Sequence, residues 1–157
     1  MAEHRFFTIS NPDYNRIVIT DGFVSGIENR EFVPCRMLWD TGATNTCITH
    51  KIVGRLGIAP FTRAQFHNAD GDSWNNLYIT TLLLPNRVLI NNLVTCEIDD
   101  HAEYDVLVGM DVISKGDFCI SGVGESRLVT TDNHSADKEP ATRVRGEEYV
   151  ARPWREP

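Results

Sequence analysis

The sequence predicts a mostly β fold, a closed or sandwich-like barrel with two short helices. Segments rich in β-branched and aromatic residues recur along the 157 residues, and turn-forming Gly, Asn and Pro residues separate them. Only two short stretches have the apolar spacing and stop signals of a helix. Many strands with few helices indicate a β domain closed on itself.

The first two predicted strands form a hairpin that ends at an aspartate. Residues 16–24 and residues 32–39 are both strand-like, and the stretch 25–30 between them is turn-like. The second strand ends directly before Asp40, so this carboxylate is expected at a strand end.

The middle of the chain alternates one helix with several strands. Residues 49–57 predict a short helix that ends at Gly57, and Asp70-Gly71 is a strong hairpin-turn dipeptide. Further strands are expected at three places, with breaks at Pro85-Asn86 and Asn91-Asn92: residues 77–84, 88–90 and 93–98.

The last part of the domain predicts a buried strand, a helix and a final strand, over residues 104–109, 111–114 and 118–120. Residues 128–131 could add an edge strand, but the composition turns polar and proline-containing beyond Gly122. We therefore divide the chain into an N-terminal segment (1–15), one folded domain (16–123) and a polar, flexible C-terminal tail (124–157).

Composition excludes several classes of partner. The net charge of −7 and the pI near 5.1 offer no basic stripe for nucleic acid. No apolar run is long enough to span a membrane, and the first residues lack the apolar core of a secretion signal. We expect a cytoplasmic protein without nucleic-acid or membrane partners.

The cysteines and histidines lack the spacing of a metal site. No CxxC pair occurs among the four cysteines, for which buried, reduced thiols are favoured over disulfides or ligands: Cys35, Cys47, Cys96 and Cys119. The five histidines are scattered and are predicted to be non-catalytic. No metal and no cofactor is expected.

The sequence Asp40-Thr41-Gly42-Ala43 occurs once in the chain. Hydrolysis by aspartates needs two facing carboxylates, about 3 Å apart, that share one proton. One copy per chain implies that such a site would need two chains. The alternative is that Asp40 merely caps a turn with its side chain.

In this order the features resemble the retropepsin-like aspartic proteases, the family of the retroviral proteases. The resemblance covers about residues 16–122 and rests on the hairpin ending in Asp40-Thr41-Gly42-Ala43, the later Asp-Gly hairpin, the apolar segment ending in Gly109, and the helix and strand after it. It implies a retropepsin-like closed β-barrel that forms a homodimer and an aspartic endopeptidase that binds polypeptide in extended form.

The resemblance also implies roles for individual residues. Asp40 from each subunit would activate water, with Thr41, Gly42 and Ala43 as the active-site loop. The second hairpin would be a flap over the substrate, formed by Ala69, Asp70, Gly71 and Trp74. A third group would pack behind the loop and line subsites: Val106, Leu107, Val108 and Gly109.

Some positions depart from the retroviral pattern and keep a second interpretation open. Thr44, Asn45 and Met110 stand where retroviral members often carry charges, and Trp39 is bulkier than the usual aliphatic residue. The alternative function is a catalytically weak retropepsin-fold module for peptide binding or dimerisation. A weaker hypothesis is that residues 123–157 block the cleft.

Overall fold

The computed structural model describes residues 4–10, 17–28, 31–68, 71–120 and 125–131, and these contain ten strands and two helices. In chain order they are β1 (His4–Ser10), β2 (Val18–Gly26), β3 (Val33–Trp39), β4 (Cys47–Thr49), α1 (His50–Leu56), β5 (Thr62–Asn68), β6 (Gly71–Leu83), β7 (Leu89–Ile98), β8 (Val106–Val108), α2 (Met110–Ile113), β9 (Phe118–Ile120) and β10 (Glu125–Thr131).

Six strands close a barrel in the order β2, β3, β8, β4, β7 and β6. The ring closes because β6 also pairs antiparallel with β2, from Phe23↔Leu83 to Gly26↔Thr80. β5 lies outside the ring and pairs with β6 alone among the described strands. The prediction of a mostly β closed barrel with two short helices is confirmed.

The barrel brings two distant segments to one edge. β3 pairs antiparallel with β2 and parallel with β8, with Trp39 opposite Val108. Because parallel strands end at the same edge of a sheet, Asp40 and Gly109 emerge side by side.

The barrel interior is filled mainly by aliphatic side chains that are completely buried, among them Met37, Ile48, Leu82, Val106 and Val108. Helix α1 contributes Ile52 and Leu56 to this core. It ends where Gly57 adopts a left-handed conformation, φ 61°, and donates its N–H to the carbonyl of Val53 at 3.0 Å. The predicted helix and its glycine stop are confirmed.

The break predicted at Asn91-Asn92 is wrong, because β7 runs through both residues. Thr80 pairs with Leu93 while Leu82 pairs with Ile90, so two residues of β7 oppose one of β6. This bulge, in which Asn92 has a φ of 53°, accommodates both asparagines, so the strand continues through them.

A second, three-stranded sheet has the order β1, β10, β9. Within the predicted tail, the edge strand expected at 128–131 runs from Glu125 to Thr131, and the predicted N-terminal segment supplies β1. The domain boundaries stay a prediction, and residues 132–157 lie outside the described residues. Neither helix in the described part of the chain is long and apolar enough to cross a membrane.

Candidate active site

Asp40 lies at the barrel edge where β3 and β8 both end. Its backbone N–H donates to the carbonyl of Val108 at 3.0 Å, which extends the pairing of the two strands by one residue. This hydrogen bond fixes the backbone of Asp40. Because the residue is only half-buried, its carboxylate remains accessible.

Residues 40–43 form a tight turn around the carboxylate. Gly42 donates its N–H to Oδ1 of Asp40 at 2.8 Å, and Ala43 donates its N–H to the carbonyl of Asp40 at 3.2 Å. A Cβ at Gly42 would lie 3.1 Å from that Oδ1, so glycine keeps the space beside the carboxylate open. Asp40 therefore does cap its own turn, and this contact also orients its carboxylate.

The turn is the start of a longer segment, residues 40–46, which we call the Asp40 loop. Two of its carbonyls accept hydrogen bonds from the start of α2: Met110 N–H donates to Ala43 at 2.8 Å and Asp111 N–H donates to Thr44 at 3.2 Å. These bonds use backbone atoms on both sides. The unusual side chains at 44, 45 and 110 are therefore not needed to hold the loop in place.

Gly109 is required by this close approach. A Cβ there would lie 2.6 Å from the carbonyl carbon of Asn45, 2.7 Å from its oxygen and 3.0 Å from the carbonyl oxygen of Ala43. All three contacts are to backbone, which cannot swing aside as a side chain would. The glycine noticed in the sequence thus lets the Asp40 loop pack directly on the start of α2.

Thr46 and Asp111 complete the loop, and the sequence analysis missed this pair. Thr46 is fully buried; its Oγ1 donates to Oδ1 of Asp111 at 2.7 Å and accepts the N–H of Gly109 at 3.1 Å. Its own N–H donates to Oδ2 of Asp111 at 3.0 Å. Asp111 does not cap α2, whose N-cap residue is Gly109; its carboxylate instead binds Thr46 across the two segments.

The predicted packing segment, residues 106–109, forms β8 and the residue that follows it. Val106 and Val108 are completely buried in the barrel, whereas Leu107 between them is half-buried and pairs with Leu38 and Cys47. A role of these residues in lining substrate subsites stays a prediction.

Trp39 connects the active-site strand to the three-stranded sheet. Its indole N–H donates to Oγ1 of Thr20 at 3.0 Å, and its ring lies 5.9 Å from that of Phe7 in β1 and 6.2 Å from that of Phe118 in β9. The bulk that distinguishes Trp39 in the sequence is thus used to bridge two sheets.

A hollow of about 310 Å³ lies beside the carboxylate. It is lined by Asp40 and Thr41 together with mainly apolar side chains, including Ile17, Trp39, Phe118 and Ile120. Ile17 is 43% exposed and Ile120 62% exposed. An exposed apolar surface beside an ionisable group is typical of a site that a peptide or another subunit covers.

The predicted flap is a hairpin formed by β5 and β6. Its tip residues Ala69 and Asp70 lie outside the described residues, and Gly71 opens β6 opposite Asn68. Trp74 pairs with Gln65 and is 60% exposed. Closure of this hairpin over Asp40 stays a prediction.

A polar cluster anchors the root of this hairpin. The carboxylate of Glu97 in β7 accepts hydrogen bonds from Asn76 at 2.7 Å and from Tyr78 at 3.0 Å, both in β6, and contacts His50 at 2.7 Å. Burial favours the neutral acid, but these hydrogen bonds outweigh it and lower the pKa of Glu97. The hydrogen bonds to Glu97 and Asp99 raise the pKa of His50.

Asp40 influences the pKa of a neighbouring tyrosine. Burial is the largest cause that raises the pKa of Tyr104, and the electrostatic influence of Cys47 and Asp40 adds to it. Within the described part of the chain, no group of three or more acidic, histidine or cysteine side chains could hold a metal ion. The group that the structure places at this edge is a half-buried carboxylate on a loop held by hydrogen bonds.

Comparison with known proteins agrees with this geometry. The family described as "gag-polyprotein putative aspartyl protease" matches residues 27–115 of the chain. Among solved structures, the chain is similar to a retropepsin-like aspartic protease from Rickettsia conorii, with 18% identity and a TM-score of 0.62 over 83% of this chain and 95% of that one.

A second similar structure is the retroviral protease-like domain of Ddi1 from Leishmania major, with 14% identity and a TM-score of 0.38 over 74% of this chain and 94% of that one. No curated protein matches significantly. The match at residues 27–115 contains both the Asp40 loop and Gly109.

Proposed function

Because the chain belongs to the gag-polyprotein branch of the retropepsin-like aspartic proteases, we propose that it is an aspartic endopeptidase whose active site is shared by two identical subunits. The family is one of hydrolases. The observation that supports a peptidase with a shared active site is the single Asp40, which lies accessible at the barrel edge on a loop held by hydrogen bonds.

Two copies of Asp40 would form the site. Two carboxylates about 3 Å apart cannot both ionise, so they share one proton. The ionised carboxylate takes a proton from water, whose oxygen attacks the scissile carbonyl carbon. The protonated one donates a hydrogen bond to the carbonyl oxygen, and proton transfer to the leaving nitrogen then breaks the C–N bond.

The substrate is proposed to be a polypeptide bound in extended form. The β5–β6 hairpin would cover it, contribute strand-like hydrogen bonds and exclude water. The exposed apolar hollow beside Asp40 supports a second subunit, since a two-fold axis that brings two Asp40 residues together must pass through this region.

The second candidate is a module that binds peptide or dimerises without useful turnover. Its support is the unusual set Thr44, Asn45 and Met110. Against it, the Asp40 loop is closed by backbone bonds that do not depend on these side chains. A self-inhibitory role for residues 123–157 stays a prediction.

The decisive variant is Asp40→Asn, which keeps an oxygen for the N–H of Gly42 and should fold normally. We expect the wild type to cleave an unbiased peptide library between about pH 4 and 7.5 and the variant to lose at least a hundredfold in rate. Asp99→Asn, at a fully exposed aspartate away from the loop, is the matched control and should cleave normally.

Mixing the two proteins tests the shared site. If each site needs two Asp40 residues, a ninefold excess of Asp40→Asn should leave about a tenth of the wild-type activity after subunit exchange. Activity that stays constant would show that one chain suffices. Absence of cleavage by a confirmed wild-type dimer that still binds peptides would favour the second candidate.

A further inference from the structure

Two cysteines lie opposite each other on adjacent strands, next to the end of the Asp40 loop. β4 and β7 pair in parallel, and Cys47 is in register with Cys96. Adjacent strands are about 4.8 Å apart, which is inside the range of Cα separations that a disulfide can span. Both are free thiols.

Both thiols also contact the backbone of the loop. The Sγ of Cys47 lies 3.6 Å from the carbonyl oxygen of Asn45, and the Sγ of Cys96 lies 3.9 Å from that of Thr46. The N–H of Cys96 donates to the same Thr46 carbonyl at 3.2 Å. The pair is therefore joined to the residue whose hydroxyl binds Gly109 and Asp111.

The two thiols differ from the other cysteines in how they interact. A hydrogen bond between them raises the pKa of Cys47 and lowers the pKa of Cys96. By contrast, burial raises the pKa of Cys35, and Cys119 is exposed. Two thiols in contact, one of which has a lowered pKa, are an arrangement that favours disulfide formation.

We propose that Cys47 and Cys96 are a site of reversible oxidation, at which hydrogen peroxide converts the two thiols to a disulfide that loosens the Asp40 loop. The Cys96 thiolate attacks the peroxide oxygen, the O–O bond breaks, and a sulfenic acid and hydroxide form. Cys47 loses its proton to this hydroxide, which gives the first water, and attacks the Cys96 sulfur. The S–O bond breaks and releases a second hydroxide, which takes up the proton that Cys96 lost on ionising and gives the second water. Overall, two thiols and one peroxide give one disulfide and two waters.

The Cα atoms are near enough for the link, but the disulfide would disturb the site because it needs the two Cβ atoms closer together than adjacent strands bring them. A disulfide holds its two Cβ atoms about 3.8 Å apart, closer than neighbouring strands normally bring them. Drawing the two Cβ atoms together would displace Cys47, which is the first residue of β4 and follows Thr46 directly. Strained bonds of this kind are also easily reduced by external thiols, so the change is reversible. This regulatory effect rests on the proposed proteolytic function.

The test treats the full chain with graded hydrogen peroxide and follows three signals. Intact mass should fall by about 2 Da, and non-reducing peptide mapping should join the peptides of Cys47 and Cys96. Amide exchange at Thr46 and Gly109 should become faster. Peptide cleavage should fall about tenfold or more and recover with dithiothreitol.

The variants Cys47→Ala and Cys96→Ala should give no link and keep their cleavage rate in peroxide; Cys47→Ser replaces Cys47→Ala if that variant does not fold. Cys35→Ala and Cys119→Ser are the matched controls and should respond like the wild type.

Two results would overturn the proposal: no link between Cys47 and Cys96 at doses that oxidise Cys119, or a complete link that leaves exchange and cleavage unchanged. A chain that cleaves no peptide before oxidation would contradict the proposed function alone, because mass and amide exchange still report on the disulfide and the loop.

Discussion

The Asp40 loop and the β5–β6 hairpin, the two parts of the proposed site, are built in opposite ways. The loop is held from several directions by Val108, Gly109, Met110 and Asp111, through backbone bonds and a buried threonine. β5 pairs with β6 alone among the described strands, and Trp74 is mostly exposed. If the hairpin covers Asp40 as proposed, a fixed carboxylate under a lightly held cover would suit a site that must open for a polypeptide.

Gly109→Ala should produce the largest effect on the loop. Its Cβ would meet backbone atoms of Asn45 and Ala43 at 2.6 to 3.0 Å, so the two segments must separate. We expect a loss of about 2–3 kcal/mol in the free energy of unfolding and at least a hundredfold loss of cleavage, measured by urea denaturation and peptide hydrolysis.

The matched control is Gly54→Ala, in the middle of α1, where a Cβ meets nothing within 4 Å. Because alanine favours helix, this change should stabilise the protein by up to about 1 kcal/mol. Equal effects of the two substitutions would show that the close packing at Gly109 does not control the loop.

Thr46→Val should have the second largest effect. Valine keeps the shape but removes the hydroxyl, which leaves the buried N–H of Gly109 without its acceptor and Asp111 without one donor. The expected cost is about 1–3 kcal/mol of stability, with a parallel loss of cleavage.

Thr49→Val is a close control for this change. Thr49 is also a buried threonine and lies at the end of β4, but its hydroxyl has no hydrogen-bond partner among the described residues. Removing that hydroxyl should be neutral or slightly stabilising. A larger cost at Thr49 than at Thr46 would contradict the role given to the Asp111 contacts.

The same contrast explains what the sequence could predict. Alternating apolar strands and the glycine stop of α1 follow from local patterns, and the Asp40 turn is a recognisable motif. The pairing of Thr46 with Asp111 joins two segments far apart in the chain, and neither residue differs by type from an ordinary surface threonine or helix-capping aspartate. The bulge at Asn91-Asn92 was missed because its position depends on the register of β6.

Unlike the loop variants, Trp74→Ala should change substrate binding more than stability. Because the side chain is 60% exposed, the free energy of unfolding should change by no more than about 0.5 kcal/mol. If the hairpin covers the substrate, KM should rise about fivefold with a smaller change in kcat.

Phe61→Ala provides the comparison for Trp74. Phe61 is 53% exposed and lies at the base of the same hairpin, where its N–H donates to the carbonyl of Leu77. It should leave KM unchanged. An unchanged KM in Trp74→Ala would remove Trp74 from the proposed cover.

The smallest effect is expected at the root of the hairpin, where Glu97 joins β6 to His50. The pKa of Glu97 is lowered from 4.5, so its contribution is present above that value and is lost as pH falls through the folded pKa. The pKa of His50 is raised from 6.5, so its contribution is complete below that value and is lost as pH rises through the folded pKa. The pair should therefore stabilise most between pH 4.5 and 6.5.

The variant His50→Ala isolates this contribution. Because the side chain of His50 is 54% exposed, solvent screening limits the loss to a few tenths of a kcal/mol at pH 5.5, and the difference from wild type should shrink by about pH 8.5 as the imidazole loses its charge. His101→Ala, which removes a ring that stacks on Tyr104 and not one that contacts Glu97, is the comparison variant. A constant difference for His50→Ala would mean that the ring contributes packing alone, and that the hairpin root is held by the hydrogen bonds of Asn76 and Tyr78 to Glu97 without a pH-dependent part.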